Sequence, residues 1–389
     1  MFLDEKIKSC QTALCHLVIG EKIWFASATY NALFYYNLLE ERLGYVGKFP
    51  QEDDNRNAMF SNMVLYNNRL FFFPYSARCI QIYNMQTNCF EEQIEVVSDT
   101  YWKYATAVEV ENHVYLFSAQ TAEISMFNLE THVINVLYTI DISNEPKSYA
   151  MSFWNNCFKV NENIYTCLSE RPAIIKLNTF SNKVCIKRFE TEEDGFIGAM
   201  KVDNQVLFFQ RKSGNIFTWN GKSEYSLAKE SFTRDQINYL LNPRMYGCSF
   251  GATDRTRFFV VPDSGSWMME LKIKGKTIQL IRCNIFNEIN TTEGQVNSRI
   301  QIANNTVSFV SGAESNIWLW NLDNKISKKS IKTPEKFFEE HYKGNYLYAV
   351  EDPRICSLDN FLNSIKKQEP KRTQSKIGQE IYLNIKDRI

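Results

Sequence analysis

The sequence lacks several short motifs that would assign a chemistry directly. It contains no H-E-x-x-H metalloprotease motif, no P-loop and no G-x-G-x-x-G fingerprint, so the corresponding zinc, nucleotide and dinucleotide sites are not indicated. Histidine is scarce, with 4 residues in 389. His16 and His341 fall in the first strands of the first and last sequence repeats described below. We expect this pair to meet, either as packed neutral side chains or as a proton-transfer or metal site.

Neither sign of charge is in excess, because Lys plus Arg and Asp plus Glu each number 44. Nucleic-acid binding, which depends on basic surface, is therefore not expected. No run of 18 uninterrupted apolar residues occurs, so no membrane span is predicted. The first residues, Met1–Lys6, are acidic where a signal peptide would be basic. These features predict a cytoplasmic protein.

The ten cysteines form no C-x-x-C pair and no close cluster. Zinc sites usually need ligand pairs two to four residues apart, so no metal and no cofactor is predicted. Several of the cysteines fall in apolar segments that are predicted to be strands. We therefore expect buried thiols in a reducing compartment.

Aromatic residues are abundant, with 20 Tyr and 28 Phe, and they favour strands because flat rings pack well on a pleated surface. One unit recurs: an apolar strand, a polar turn, an aromatic-rich strand, a loop, and two further strands. The first turn of each copy is marked by Glu21, Asn68, Asn112, Asn163, Asn204, Arg255, Asn305 and Asn345, spaced about 46 residues apart. Asn and Asp tolerate the positive φ that a tight hairpin requires.

The third strand of the unit ends on Asn or Asp in seven of eight copies. These residues are Asn37, Asn84, Asn128, Asn178, Asn220, Asn321 and Asp359. The sixth copy, at Met269-Glu270-Leu271, departs from the pattern. We expect each Asn to accept a hydrogen bond from the backbone two residues on and to start the next turn, which is a structural role.

Eight copies of a four-stranded unit predict an all-β fold: a single β-propeller of eight blades over residues 10–368, with seven blades as the alternative. The chain resembles a divergent member of the kelch and WD40-like propeller group. It departs from both signatures, since Phe73-Pro74 stands where kelch blades carry Gly-Gly, and Trp219-Asn220 and Trp320-Asn321 come closest to Trp-Asp. The resemblance implies the architecture and not a partner.

Residues 369–389 form a tail in which Ile377, Ile381 and Ile385 have helical spacing, so a short amphipathic helix is predicted. Alternation of Ile381, Leu383 and Ile385 also allows a strand that closes the ring. Either form is expected to pack on the propeller or to dock a partner.

In such a blade the second-to-third loops and the connections between blades lie on one side, the loop face. These segments are longer and more varied than the turns on the other side, so we place any ligand there. The candidate binding residues are Arg78, Tyr101, Trp102, Glu123, Trp154, Arg171, Arg211, Asp263, Glu314 and Arg354. Trp and Tyr are typical anchors at binding surfaces. No catalytic residue is assigned.

Glu52, Asp53 and Asp54 form one acidic run in a connection. Paired carboxylates support glycosidic cleavage, but such a run is expected to be a solvated turn. The sequence therefore favours a non-catalytic binding or assembly scaffold for a protein or carbohydrate partner. The alternative is a channel-mouth lyase or hydrolase acting on a glycoconjugate or a small polar molecule.

Overall fold

A computed structural model describes residues 13–337, which belong to one compact unit, Ser9–Phe337. The gaps are 54–55, 99, 122, 141–156, 169–172, 189–194, 203–204, 211–215, 220–224, 228–247, 254–256, 263–267, 275–276, 284–299, 304–305, 312–315, 322–324, 332 and 334–336. For residues 248–283 only the backbone is described. The eighth repeat copy, the boundary at residue 368 and the tail 369–389 lie outside the described residues and stay predictions. No helix in the described part is long and apolar enough to cross a membrane.

The described strands form seven antiparallel sheets, numbered here in chain order, in which consecutive strands are neighbours. Sheet 1 contains β1 (His16–Ile19), β2 (Lys22–Ala26), β3 (Leu33–Asn37) and β4 (Arg42–Gly47). Sheet 2 contains β5 (Phe60–Tyr66), β6 (Arg69–Pro74), β7 (Cys79–Asn84), β8 (Cys89–Phe90) and β9 (Ile94–Glu95). Sheet 3 contains β10 (Tyr104–Val110), β11 (His113–Ser118), β12 (Glu123–Asn128) and β13 (Ile134–Thr139). The short β8 and β9 both pair with β7. The all-β prediction is confirmed.

Sheets 4 to 7 repeat the same meander. Sheet 4 contains β14 (Phe158–Val160), β15 (Asn163–Cys167), β16 (Ala173–Asn178) and β17 (Val184–Arg188). Sheet 5 contains β18 (Phe196–Val202), β19 (Gln205–Gln210), β20 (Ile216–Trp219) and β21 (Tyr225–Leu227). Sheet 6 contains β22 (Cys248–Thr253), β23 (Arg257–Pro262), β24 (Met268–Lys274) and β25 (Thr277–Cys283), and sheet 7 contains β26 (Gln301–Ala303), β27 (Thr306–Ser311), β28 (Asn316–Asn321) and β29 (Lys325–Ser330). The sixth copy, whose third strand departs from the pattern, still forms four paired strands.

The first strands of the sheets contact one another in sequence order. β1 contacts β5, β5 contacts β10, β14 contacts β18, β18 contacts β22, and β22 contacts β26. Sheets 3 and 4 share an apolar cluster that includes Phe117 and Ile175. β26 in turn contacts β1, so sheet 7 adjoins sheet 1 within the described chain.

The core lies between neighbouring sheets and is rich in phenylalanine. Phe49 packs on Phe60 and Phe72 between sheets 1 and 2, with ring centroids 4.5 and 5.0 Å apart. Phe73 contacts Phe127 between sheets 2 and 3 at 5.6 Å. Large flat rings fill the wedge between twisted sheets and give a well-packed interface at low side-chain entropy.

The polar turns adopt the backbone conformations that the Asn residues predict. Asn67 and Asn68, between β5 and β6, both have positive φ, at 48° and 59°. This is the requirement of the type I′ hairpin turn, whose twist matches that of the flanking strands. Asn88 and Asn182, in the turns between third and fourth strands, also have positive φ.

The Asn that ends each third strand has the predicted structural role in all four sheets where its contacts are described. The Oδ1 atom of Asn84 accepts the backbone N–H of Gln86 at 2.9 Å, and that of Asn128 accepts the N–H of Glu130 at 2.8 Å. Asn37 and Asn178 make the same bond. Each also bonds the residue three positions on, so one side chain organises the whole turn.

Replacing Asn84 or Asn128 with alanine is expected to lower the free energy of unfolding by about 0.5–2 kcal/mol, because two backbone donors lose their acceptor. The measurement is the shift in urea midpoint. Asn135→Ala on exposed β13 serves as control and should change stability by less than about 0.5 kcal/mol. An unchanged midpoint combined with loss of partner binding would show that these residues bind ligand instead.

Candidate binding site on the loop face

Hydrogen bonds tie the connections between sheets to the second-to-third loops, which places both on one face as predicted. The N–H of Lys103 donates to the carbonyl of Tyr75 at 2.7 Å. The N–H of Trp102 donates to Oε1 of Gln120, in the loop of sheet 3, at 3.2 Å. The connection that contains Trp102 and Lys103 is therefore anchored to the loops on both sides of it.

Glu52 is buried, so the solvated-turn prediction for this residue is wrong. Its carboxylate accepts the N–H of Arg78 at 2.8 and 3.0 Å and the N–H of Cys79 at 3.0 Å. Tertiary folding closes the 49–52 connection over the loop of sheet 2, and the backbone donors compensate the burial of the charge. The carboxylate holds a loop in place and is not arranged for acid–base work. Asp53 is exposed, and Asp54 lies outside the described residues.

Three aromatic rings meet beside this loop. The rings of Tyr75 and Trp102 lie 6.0 Å apart at an interplanar angle of 17°, which is a stacked arrangement. The ring of Tyr101 contacts that of Trp102 edge-on at 6.0 Å and 72°. Tyr101 is 47% exposed. The group therefore presents apolar ring surface, held in fixed orientation, to solvent.

Arg56 contacts one of these rings, and two further cationic residues, Arg78 and Lys103, stand in the same segments as the rings. The Nη1 atom of Arg56 donates to the carbonyl of Ser76 at 2.6 Å, and its guanidinium lies 5.6 Å from the Tyr101 ring centroid. Arg78 is exposed, whereas Lys103 is 8% exposed. Burial lowers the pKa of the Lys103 ammonium, and the nearby Arg56 and Arg78 lower that pKa further.

We call this group the cation–aromatic cluster. Its members are Arg56, Tyr75, Arg78, Tyr101, Trp102 and Lys103. They come from three segments distant in sequence: the connection before β5, the loop between β6 and β7, and the connection before β10. The arrangement can stack on a planar or apolar group and can pair with an anion at the same place.

The structure brings together three of the ten predicted binding residues, Arg78, Tyr101 and Trp102. Glu123 is the first residue of β12, where its carboxylate accepts the hydroxyl of Thr121 at 3.0 Å. It therefore belongs to the next loop along the face. The remaining predicted residues lie outside the described chain: Trp154, Arg171, Arg211, Asp263, Glu314 and Arg354.

Sequence reasoning did not single out Arg56, Tyr75 and Lys103 as site residues. Lys103 directly follows Trp102, and Tyr75 stands in the same loop as Arg78, so adjacency was an available signal for both. Arg56 has no such signal. Its place in the cluster results from the path of the connection between sheets 1 and 2, which no local pattern encodes.

The histidines have structural surroundings. The Nε2 atom of His16 lies 2.8 Å from the hydroxyl of Ser308 on β27, and burial lowers the His16 pKa to about 3. His113 contacts the Asn128 side chain at 3.2 Å, and His132 stacks on Phe127. His341 lies outside the described residues, so its predicted meeting with His16 stays untested. Across the described residues no group of three His, Cys, Asp or Glu side chains is placed to hold a metal.

One nucleophile-elbow pattern is present, as Gly247-Cys248-Ser249-Phe250-Gly251. The motif functions when its serine sits on a sharp turn between a strand and a helix. Here Ser249 lies inside β22 and pairs with Val261 of β23. The backbone context is therefore that of a strand and does not match the motif.

No family model and no curated protein matches the chain. Similar solved structures include virginiamycin B lyase from Staphylococcus aureus, with a TM-score of 0.56 and 14% identity over 79% of this chain and 93% of that chain. KlAtg21, in complex with the coiled-coil of AgAtg16, has a TM-score of 0.52 and 12% identity over 80% and 94% of the two chains. At this identity the likeness shows the fold alone, which is a β-propeller.

Proposed function

We propose that this propeller is a non-catalytic binding scaffold that holds a protein partner at the cation–aromatic cluster. The observation that carries the proposal is the group of Tyr75, Tyr101 and Trp102 on the loop face, with Arg56 beside Tyr101. Trp, Tyr and Arg are the residue types that supply most of the binding energy at protein interfaces. Loops that are positioned by a rigid scaffold commonly carry such sites.

A carbohydrate partner is the second candidate, because exposed aromatic rings also stack on sugars. The three cations favour the protein partner, since neutral sugars do not require them. The channel-mouth lyase or hydrolase receives no specific support. Glu52, in the acidic run considered for acid–base work, uses its carboxylate to hold backbone N–H groups.

The proposal includes a ring that closes with seven blades, the alternative to the eight counted in the sequence. The contact of β26 with β1 and the His16–Ser308 hydrogen bond support it. Assignment to the kelch and WD40-like group and docking through the tail remain parts of the proposal. So do the absence of nucleic-acid partners and the cytoplasmic location, the latter supported by the thiols of Cys79 and Cys167, which form no disulfide.

Trp102→Ala is expected to weaken partner binding by at least about 30-fold, because truncating an aromatic anchor commonly costs more than 2 kcal/mol. The partner is isolated by affinity capture of the tagged protein from its native cell, and binding is then measured by titration. Circular dichroism checks that the variant is folded.

Phe180→Ala is the matched control for this change. Phe180 is 92% exposed in the turn between β16 and β17, on the opposite face, so its removal should leave binding within about twofold of the wild type. Equal affinities of the two variants would contradict the proposed site. Loss of binding on removal of glycans from the partner would favour the carbohydrate candidate.

A further inference from the structure

The cation–aromatic cluster carries more positive than negative charge. The groups near enough to Lys103 to change its pKa are Arg56 and Arg78, both cationic, the carboxylate of Glu52 and the thiol of Cys79. Both oxygens of that carboxylate already accept backbone N–H groups of Arg78 and Cys79. Three cations therefore face one carboxylate that is committed to holding the loop.

Lys103 is the most informative of these cations. It is 8% exposed, and within the described part of the chain its ammonium has no ion pair and no side-chain hydrogen bond. The ammonium nitrogen is not itself enclosed, so a carboxylate of a ligand can approach it and form a charge-assisted hydrogen bond. The backbone N–H of Lys103 donates to the carbonyl of Tyr75, which fixes the backbone of Lys103 next to the loop of sheet 2.

The guanidinium groups of Arg56 and Arg78 add two further positive charges to the cluster. One nitrogen of Arg56 is committed to the Ser76 carbonyl, which fixes the guanidinium and leaves its other donors available. Arg78 is exposed and, among the described residues, its guanidinium makes no ion pair. A guanidinium fork matches the geometry of a carboxylate and binds it in bidentate fashion.

We propose that the cation–aromatic cluster binds an acidic segment of the protein partner. Carboxylates of that segment pair with Arg78, Arg56 and Lys103, and a neighbouring side chain packs on the Tyr75–Trp102 stack. This inference rests on the proposed function. A polynucleotide or an anionic membrane would require a broad basic surface, whereas the whole chain is balanced at 44 basic and 44 acidic residues.

The test uses a fluorescein-labelled octaglutamate peptide and fluorescence anisotropy with the full-length chain. Arg78→Gln and Lys103→Met are each expected to weaken binding by about tenfold at low ionic strength. Lys159→Gln, which removes an exposed cation on β14, should change it by less than about twofold. The wild-type affinity should fall as salt rises from about 50 to about 200 mM.

The inference is overturned if octaglutamate fails to bind, or if Arg78→Gln and Lys159→Gln behave alike. Arg78 is exposed, so its variant remains informative even if Lys103→Met does not fold. Tighter, Arg78-dependent binding of an oligothymidylate or of phosphatidylserine vesicles would also overturn it. If Trp102→Ala abolishes binding of the captured partner while Arg78→Gln leaves it unchanged, the binding face stands and only its acidic ligand is rejected.

Discussion

Phe337→Ala is expected to lower the free energy of unfolding by about 3–5 kcal/mol, the range for deleting a fully buried aromatic side chain. Phe337 follows sheet 7 and is 0% exposed. Its ring lies 5.0 Å from that of Tyr30, 5.3 Å from Phe34 and 5.2 Å from Tyr45, all in the segment of sheet 1. The large effect is expected because the cavity would open at the junction of sheets 1 and 7.

The measurement is the urea midpoint followed by tryptophan fluorescence, with an unchanged slope taken as evidence that only stability has changed. Phe180→Ala removes a ring of the same type that is exposed, so it should shift stability by less than about 0.5 kcal/mol. If the two variants have equal midpoints, Phe337 does not join sheet 7 to sheet 1, and the seven-bladed ring rests on the β26–β1 contact and the His16–Ser308 hydrogen bond alone.

The second large effect concerns how the free energy of unfolding depends on pH. His16 is 1% exposed on β1, and burial lowers its pKa to about 3. Between pH 6.5 and pH 3 the unfolded chain binds a proton at this residue and the folded chain does not, so stability falls as the pH falls. From pH 7 to pH 5 this one group is expected to cost the wild type about 2 kcal/mol.

His16→Gln removes the titrating ring and keeps a polar side chain near Ser308. The stability difference between this variant and the wild type should therefore move by about 2 kcal/mol in favour of the variant from pH 7 to pH 5. Ser308→Ala should keep the wild-type pH dependence, because burial and not the hydroxyl lowers the pKa. A pH-independent difference would show that His16 is solvated in the folded protein.

The repeat was readable in the sequence because its turns impose local requirements. Asn68 adopts positive φ, and the side chains of Asn84 and Asn128 accept the backbone N–H two residues on. The positive φ and these hydrogen bonds depend only on neighbours within a few residues. The contact between sheets 7 and 1 was not readable in this way. The contact of Phe337 with Tyr30 and Phe34 joins residues about 300 positions apart, and nothing in the local pattern marks it.

The candidate site was predicted in part for the same reason. Trp102 and Arg78 stand in segments that the repeat assigns to loops, so topology alone places them on one face. The burial of Glu52 depends on the path of a connection across a neighbouring loop. From sequence alone an acidic run is predicted to be exposed to solvent, because that packing is not encoded locally.

The most direct test of the central claim is hydrogen–deuterium exchange of the full-length protein with and without its captured partner. Protection is expected in the Tyr75–Cys79 loop and the Tyr101–Tyr104 connection, since these backbone segments carry the cation–aromatic cluster. Protection confined to the turns at Asn68 and Asn112, on the opposite face, would contradict the proposed binding face.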